Sequence, residues 1–124
     1  LYFIKKKKFK SVIINYDEQS ENLFKWYQQI IAESLGKKNK GLLPIISSMP
    51  KDNHSVMQLY LDGFQKNFFT FFNVNEKSST KIINKDILSP YNFIKNKSIS
   101  NITYAQKKAT ENIFKKKKIQ FKNL

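Results

Sequence analysis

Glu33 closes an amphipathic stretch, and His54, the one histidine in the chain, stands at the head of the next. A carboxylate and a neutral imidazole both exchange protons near neutral pH, so the two can do general acid–base chemistry if folding or assembly brings them together. Gln29 precedes Glu33 by the spacing that makes two side chains neighbours on a helix. On a helical wheel Leu23, Phe24, Trp26, Tyr27, Ile30, Ile31 and Leu35 form a broad apolar arc. Asn22, Gln29 and Glu33 form a narrow polar strip beside Trp26 and Ile30. A carboxylate at such a border loses part of its water, which raises its pKa toward that of a working base. The same residue also reads as an exposed glutamate near a helix end, where a negative charge is mildly unfavourable with the helix dipole. His54 follows Asp52 and Asn53 and precedes Val56, Met57, Leu59 and Tyr60, which puts it in a first helical turn. There the dipole disfavours the imidazolium. It equally reads as a capping or surface histidine, and Asp52 as a plain N-cap with no catalytic part.

These residues need elements to hold them. Residues 9–16 (FKSVIINY) have an unbroken apolar centre, which suits a strand covered on both faces. Asp17, Glu18 and Ser20 supply turn and cap chemistry for a helix over 21–35, and Gly36 supplies its stop. Residues 41–48 (GLLPIISS) form a second strand, with Pro44 favouring a strand start or an irregular segment. Asp52 or Asn53 caps a short helix running to about Leu61 and ended by Gly63. Residues 67–74 (NFFTFFNV) form a third strand, and the polar residues 75–98 a long loop with a short extended piece at 81–83. A second long helix runs from Ile99 to about Lys116, with Ile102, Ala105, Ala109, Ile113 and Phe114 as its apolar stripe. Residues 119–121 open a fourth strand. Strands alternating with helices predict an α/β fold, a three-layer αβα sandwich around a mostly parallel sheet. The start in LYFI and the end in IQFKNL read as a larger domain truncated at both ends.

Composition narrows the chemistry further. A length of 124 residues suits one domain or part of one. Hydrophobic content of 40% and aromatic content of 15% exceed what a disordered chain carries. Without cysteine there is no disulfide, thiolate nucleophile or thiolate zinc site, and a single histidine rules out a multi-histidine metal site. No apolar run approaches the roughly 18–20 residues of a transmembrane helix, so no membrane partner is expected. The opening lacks an initiator Met and the order of charges of a signal peptide, as if the chain begins inside something larger. The net charge of +14 raises the question of a nucleic-acid partner, yet all 23 basic residues are lysine. Base readout and bidentate phosphate recognition favour arginine. The lysine runs at 5–8 and 115–118 therefore read as solvated surface, with no nucleic acid bound.

Taken together, WYQQIIAESLGKKNKG, LLPIISS and DNHSVMQLYLDG resemble the C-terminal sugar-isomerase (SIS) domain of the glucose-6-phosphate isomerase family. That family's Q-x-x-x-E-S-x-G-K and H-S-x-x-Q-L-x-x-x-G segments both occur here, in order and with compatible spacing. YAQKKATENIFKKKKI resembles its following long helix, including an A-Q-x-x-A-T core. The resemblance covers nearly the whole chain, most weakly at 75–98, and implies that residues 1–124 are a partial SIS domain. It implies that Glu33 is the catalytic base that moves a proton between C2 and C1 of the open-chain sugar phosphate through a cis-enediol. It implies that His54 is catalytic in opening and closing the sugar ring, and that Gln29 contacts the substrate. The reaction so implied interconverts glucose 6-phosphate and fructose 6-phosphate, in glycolysis and gluconeogenesis, without a cofactor. The enzyme so implied is a cytoplasmic homodimer in which the neighbouring subunit supplies His54 in trans. The family's Ser/Thr-rich phosphate loop, its G-G-R arginine and its F-D-Q motif with a catalytic lysine are not found here, so the chain alone is expected to be inactive. Lys37, Lys38 and Lys40 could add a positive field near a sugar phosphate. Two other readings stay open: a non-catalytic sugar-phosphate-binding or regulatory SIS domain, and a basic nucleic-acid-binding protein.

Overall fold

The computed structural model describes residues 10–36, 41–63, 66–76, 79–83, 87 and 89–124. Among the described residues four strands, β1 (Lys10–Asn15), β2 (Leu43–Ser48), β3 (Asn67–Phe72) and β4 (Phe121–Asn123), alternate with helices α1 (Glu21–Leu35), α2 (Met57–Asp62) and α3 (Ile99–Lys116). Every strand pairing is parallel, and the order across the sheet is β2-β1-β3-β4. β1 is central: Val12 pairs with Ile45 on one side and Phe69 on the other. Val12, Ile13 and Ile14 are all buried, which is why apolar residues run together there instead of alternating.

Ring contacts sort the helices onto the two faces. Phe69 and Phe71 of β3 meet Phe114 of α3 edge to face, with centroids 4.9 and 5.2 Å apart. Tyr60 of α2 meets Phe69 on that same face at 5.3 Å. Phe72, one step along the pleat, points the other way and meets Phe24 of α1 at 4.9 Å. Helix α1 thus covers one face while α2 and α3 cover the other, giving the three-layer α/β sandwich that strand–helix alternation predicts. The main core lies on the second face, around Val12, Ile14, Tyr60, Phe69, Phe71 and Phe114.

Both long helices fall where periodicity predicts, although the Ser20 side chain expected to cap the first makes no cap bond and donates to Asp17 instead. Pro44 is accommodated because β2 is an edge strand, where a missing ladder donor is tolerated. Phe9 and the lysines at 5–8 lie outside the described residues. The extended piece expected at 81–83 is one antiparallel bridge, Lys81 to Ser98, beside a 3-10 turn at Ser89–Ile94. Two expectations fail. The buried face of α3 is Lys107, Thr110, Glu111 and Phe114, whereas Ala105, Ala109 and Ile113 are exposed. Phe114, caught among Phe69, Phe71 and Phe121, fixes the helix rotation, and Glu111 is buried together with Lys107 as an ion pair at 3.1 Å. The second failure is the start of α2. It begins at Met57, and Lys51–Asn53 forms a separate 3-10 turn.

Candidate active site

Helix α1 leaves the carboxyl edge of the sheet and runs back along it, as a connection between parallel neighbours must. Phe24 packs on Phe72, the last residue of β3, and Gln28 Nε2 donates to the Pro44 carbonyl at 2.8 Å, near the start of β2. Glu33 lies more than a turn beyond Gln28, at the amino edge. Gly36 stops the helix with its N–H on the Ala32 carbonyl at 3.1 Å. A Cβ there would lie 2.5 Å from that same oxygen, so any side chain would force the last turn open.

The spacing of Gln29 and Glu33 does make them neighbours: Gln29 Nε2 donates to Glu33 Oε1 at 3.0 Å. That bond orients the carboxylate and leaves the Gln29 carbonyl oxygen able to accept from a ligand. Both residues are exposed, so the loss of water expected at Glu33 is not supplied by this chain. The apolar residues beside them are open as well, with Trp26 61% and Ile30 37% exposed. A helical wheel shows which residues share a face, but not whether another layer covers it.

Strand β2 carries the chain to the opposite edge. The Met49 N–H donates to the Asn15 carbonyl at 2.7 Å and so extends the sheet bonding one residue past Ser48. The Ser48 N–H then donates to Asp52 Oδ2 at 2.9 Å. The Asp52 carbonyl accepts from the N–H groups of Ser55 and Val56, at 3.3 and 3.0 Å, and from the Ser55 hydroxyl at 3.3 Å. His54 rides on this turn, exposed, and its ring has no hydrogen-bond partner among the described residues. Because α2 starts only at Met57, the helix-dipole argument for a neutral ring does not apply. Six-residue β2 spans about 20 Å and separates Glu33 at one edge from His54 at the other. One chain therefore brings Gln29 and Glu33 together and holds His54 apart from them. Lys37, Lys38 and Lys40 lie outside the described residues.

A cleft of about 480 Å³ opens at the carboxyl edge, between the loops that follow β1 and β3, with Ser100, Thr103 and Gln106 of α3 on one wall. The helix after β1 crosses one face and the helix after β3 the other, so this is the switch point of the sheet. Gln29, Glu33 and His54 do not line it. Below the cleft the Tyr16 hydroxyl and Thr110 Oγ1 share a hydrogen bond at 2.7 Å, and burial pushes the Tyr16 pKa up. At the next position burial pushes the Glu111 carboxyl up, but hydrogen bonds from Lys108 and Lys107 outweigh it and hold the group below its ordinary range. Sequence reasoning missed the Tyr16–Thr110 bond, which joins opposite ends of the chain and leaves no local signal. It saw Asp52 but assigned it to a helix cap. Among the described residues no group of acidic or histidine side chains could hold a metal, and no helix is long and apolar enough to cross a membrane.

No family model matches the chain. It is 37% identical over 106 residues to a glucose-6-phosphate isomerase of Methanocaldococcus jannaschii, which covers 82% of this chain and 25% of that protein. To the glucose-6-phosphate isomerase of Mycoplasmopsis pulmonis it is 33% identical over 111 residues, covering 87% and 26% respectively. Its fold is similar to the crystal structure of a hypothetical protein from Thermus thermophilus, with a TM-score of 0.84 at 21% identity over 94% of this chain and 30% of that one. The chain spans about a quarter of the length of these two curated relatives. Over the part that aligns, it is a relative of the glucose-6-phosphate isomerases.

Proposed function

We propose that this chain supplies part of the active site of a glucose-6-phosphate isomerase, as a partial SIS domain that works within a homodimer. Glu33 takes the proton from C2 of the open-chain aldose phosphate as the C1 oxygen gains one, giving a cis-enediol, and returns it to C1 as the C2 hydroxyl gives up its own, so that the carbonyl moves from C1 to C2. Neither electrons nor atoms leave the substrate, so acid–base groups suffice and no cofactor is called for. The Gln29 carbonyl oxygen accepts from a sugar hydroxyl while its amide steadies the base. His54 passes a proton at the ring oxygen and comes from the second subunit, a reading consistent with its place at the far edge of the sheet within one chain.

What supports this reading, besides the kinship, is that Gln29 holds the Glu33 carboxylate through one oxygen and leaves the other free of hydrogen bonds and ion pairs among the described residues. The test is Glu33→Gln in the full-length protein that carries this chain. The amide keeps the shape and removes the base. The expected outcome is a fall in kcat of about 10²–10⁴-fold, with KM little changed. An unaltered kcat would return Glu33 to the standing of a surface residue.

A further inference from the structure

Among the described residues nothing bonds to the His54 side chain. Its ring is exposed and has no hydrogen-bond partner among the described residues, so the backbone of the turn must place it. That turn hangs on Asp52. The carboxylate reaches back to the N–H of Ser48, the last residue of β2, at 2.9 Å. The carbonyl of the same residue gathers the N–H groups of Ser55 and Val56. The residues on either side of His54 are thereby tied to one point, and that point is tied to the sheet. Below, the Ser47 and Tyr60 hydroxyls meet at 2.6 Å and fasten the end of β2 to α2. The lower bond joins buried residues, whereas Asp52 is only half-buried. The aspartate can therefore be altered without opening the core.

We propose that Asp52 is a positioning residue for His54, holding the imidazole-bearing turn against the carboxyl end of β2. This rests on the reading of His54 as the group that acts on the sugar ring. A ring-opening group displaced by about 1 Å can lose on the order of 10²-fold in rate, while a step handled by Glu33 is untouched. The two steps can be read separately. Glucose 6-phosphate presents a closed ring, and a tetrose 4-phosphate cannot close one because its phosphate occupies the C4 oxygen that would form it.

The experiment compares Asp52→Ala, Asp52→Asn, Asp52→Glu and His54→Ala in the full-length protein, on both substrates. Asp52→Ala is expected to lower kcat on glucose 6-phosphate by about 10²-fold and to leave the tetrose within about 2-fold. Asp52→Asn is expected to recover most of the loss, because its amide oxygen can still accept from Ser48. Should Asp52→Ala fail to fold, Asp52→Glu decides, since the longer side chain moves the acceptor and should also slow only the closed-ring substrate. Equal losses on both substrates, or no loss on either, would overturn the positioning role. If His54→Ala is selective for the closed ring while the Asp52 variants are not, the positioning role falls and the reading of His54 stands. If His54→Ala changes neither substrate, the reading of His54 falls and takes the proposal with it.

Discussion

Glu111 carries a charge that is buried and paired inside the fold. Its side chain is 1% exposed and that of its ion-pair partner Lys107 is 7% exposed. Glu111→Gln would strand an ammonium group in the interior, and the expected cost is about 3 kcal/mol in urea unfolding. Removing both charges, in a Lys107→Met/Glu111→Leu double variant, should restore most of that stability, because the penalty lies in the unpaired charge. Acid sensitivity follows from the same pair. The folded carboxyl titrates below its ordinary value of 4.5, so the unfolded chain takes up the proton first. The contribution of Glu111 is therefore present above pH 4.5 and is lost as pH falls through the lowered folded value. The buried hydroxyls of Tyr16 and Tyr60, both pushed above 10.0 by burial, act in the opposite direction. Their contribution is intact below pH 10.0 and lost as pH rises through the raised values. A urea midpoint that falls equally in acid for the parent and the double variant would exclude Glu111 as the source.

Helix α3 owes its sharp end to an uncommon residue. Lys118 has φ of 57°, with its N–H on the Lys115 carbonyl at 3.0 Å and the Ile119 N–H on the Phe114 carbonyl at 2.9 Å. That paired ending usually takes glycine, because a Cβ in the left-handed region costs about 1–2 kcal/mol. Lys118→Gly is expected to raise stability by about 0.5–1 kcal/mol, read as a higher thermal midpoint. A lower midpoint would mean that the lysine side chain contributes more than its backbone strain. The bounds of α1 and α3 were legible because the apolar period is a local property, written within the helix itself, whereas the Ser98 cap of α3 went unread and the Ser20 side chain does not cap α1. The inward face of α3 was not. Wheel reasoning assumes that apolar residues go inside, but here a single ring, Phe114, sets the rotation, and a charge pair can be buried because it is paired. The turn at His54 misled for a related reason. Asp52 has the chemistry of an N-cap, and only the fold shows that its acceptor is already taken by Ser48 at the end of β2. Gln29 and Glu33 were legible as neighbours because their spacing fixes the contact. The exposure of that pair was not, because it depends on what else lies over α1.

One copy of the chain carries Glu33 and His54 on opposite edges of its sheet, and the proposed function therefore requires a second copy to complete the pair. In the full-length protein, Glu33→Gln and His54→Ala subunits should each be inactive alone. When unfolded and refolded together they should recover about a quarter of wild-type activity, since random pairing makes half the dimers mixed and gives each mixed dimer one whole site. Purified residues 1–124, run in the same coupled assay, should show no turnover above background. Mixed dimers that form without regaining activity would place both groups in one subunit. The central place of β1 bears on the protein while it is still being made. Of the four strands β1 leaves the ribosome first, yet the neighbours on both its edges are made later, β2 at residues 43–48 and β3 at residues 67–72. Until β3 emerges, the apolar run Val12, Ile13, Ile14 has an unpaired edge, the kind of template on which nascent chains associate wrongly. A translational pause between β2 and β3 prolongs that exposure. Codon choice across this short interval therefore bears on how much folded protein a cell recovers.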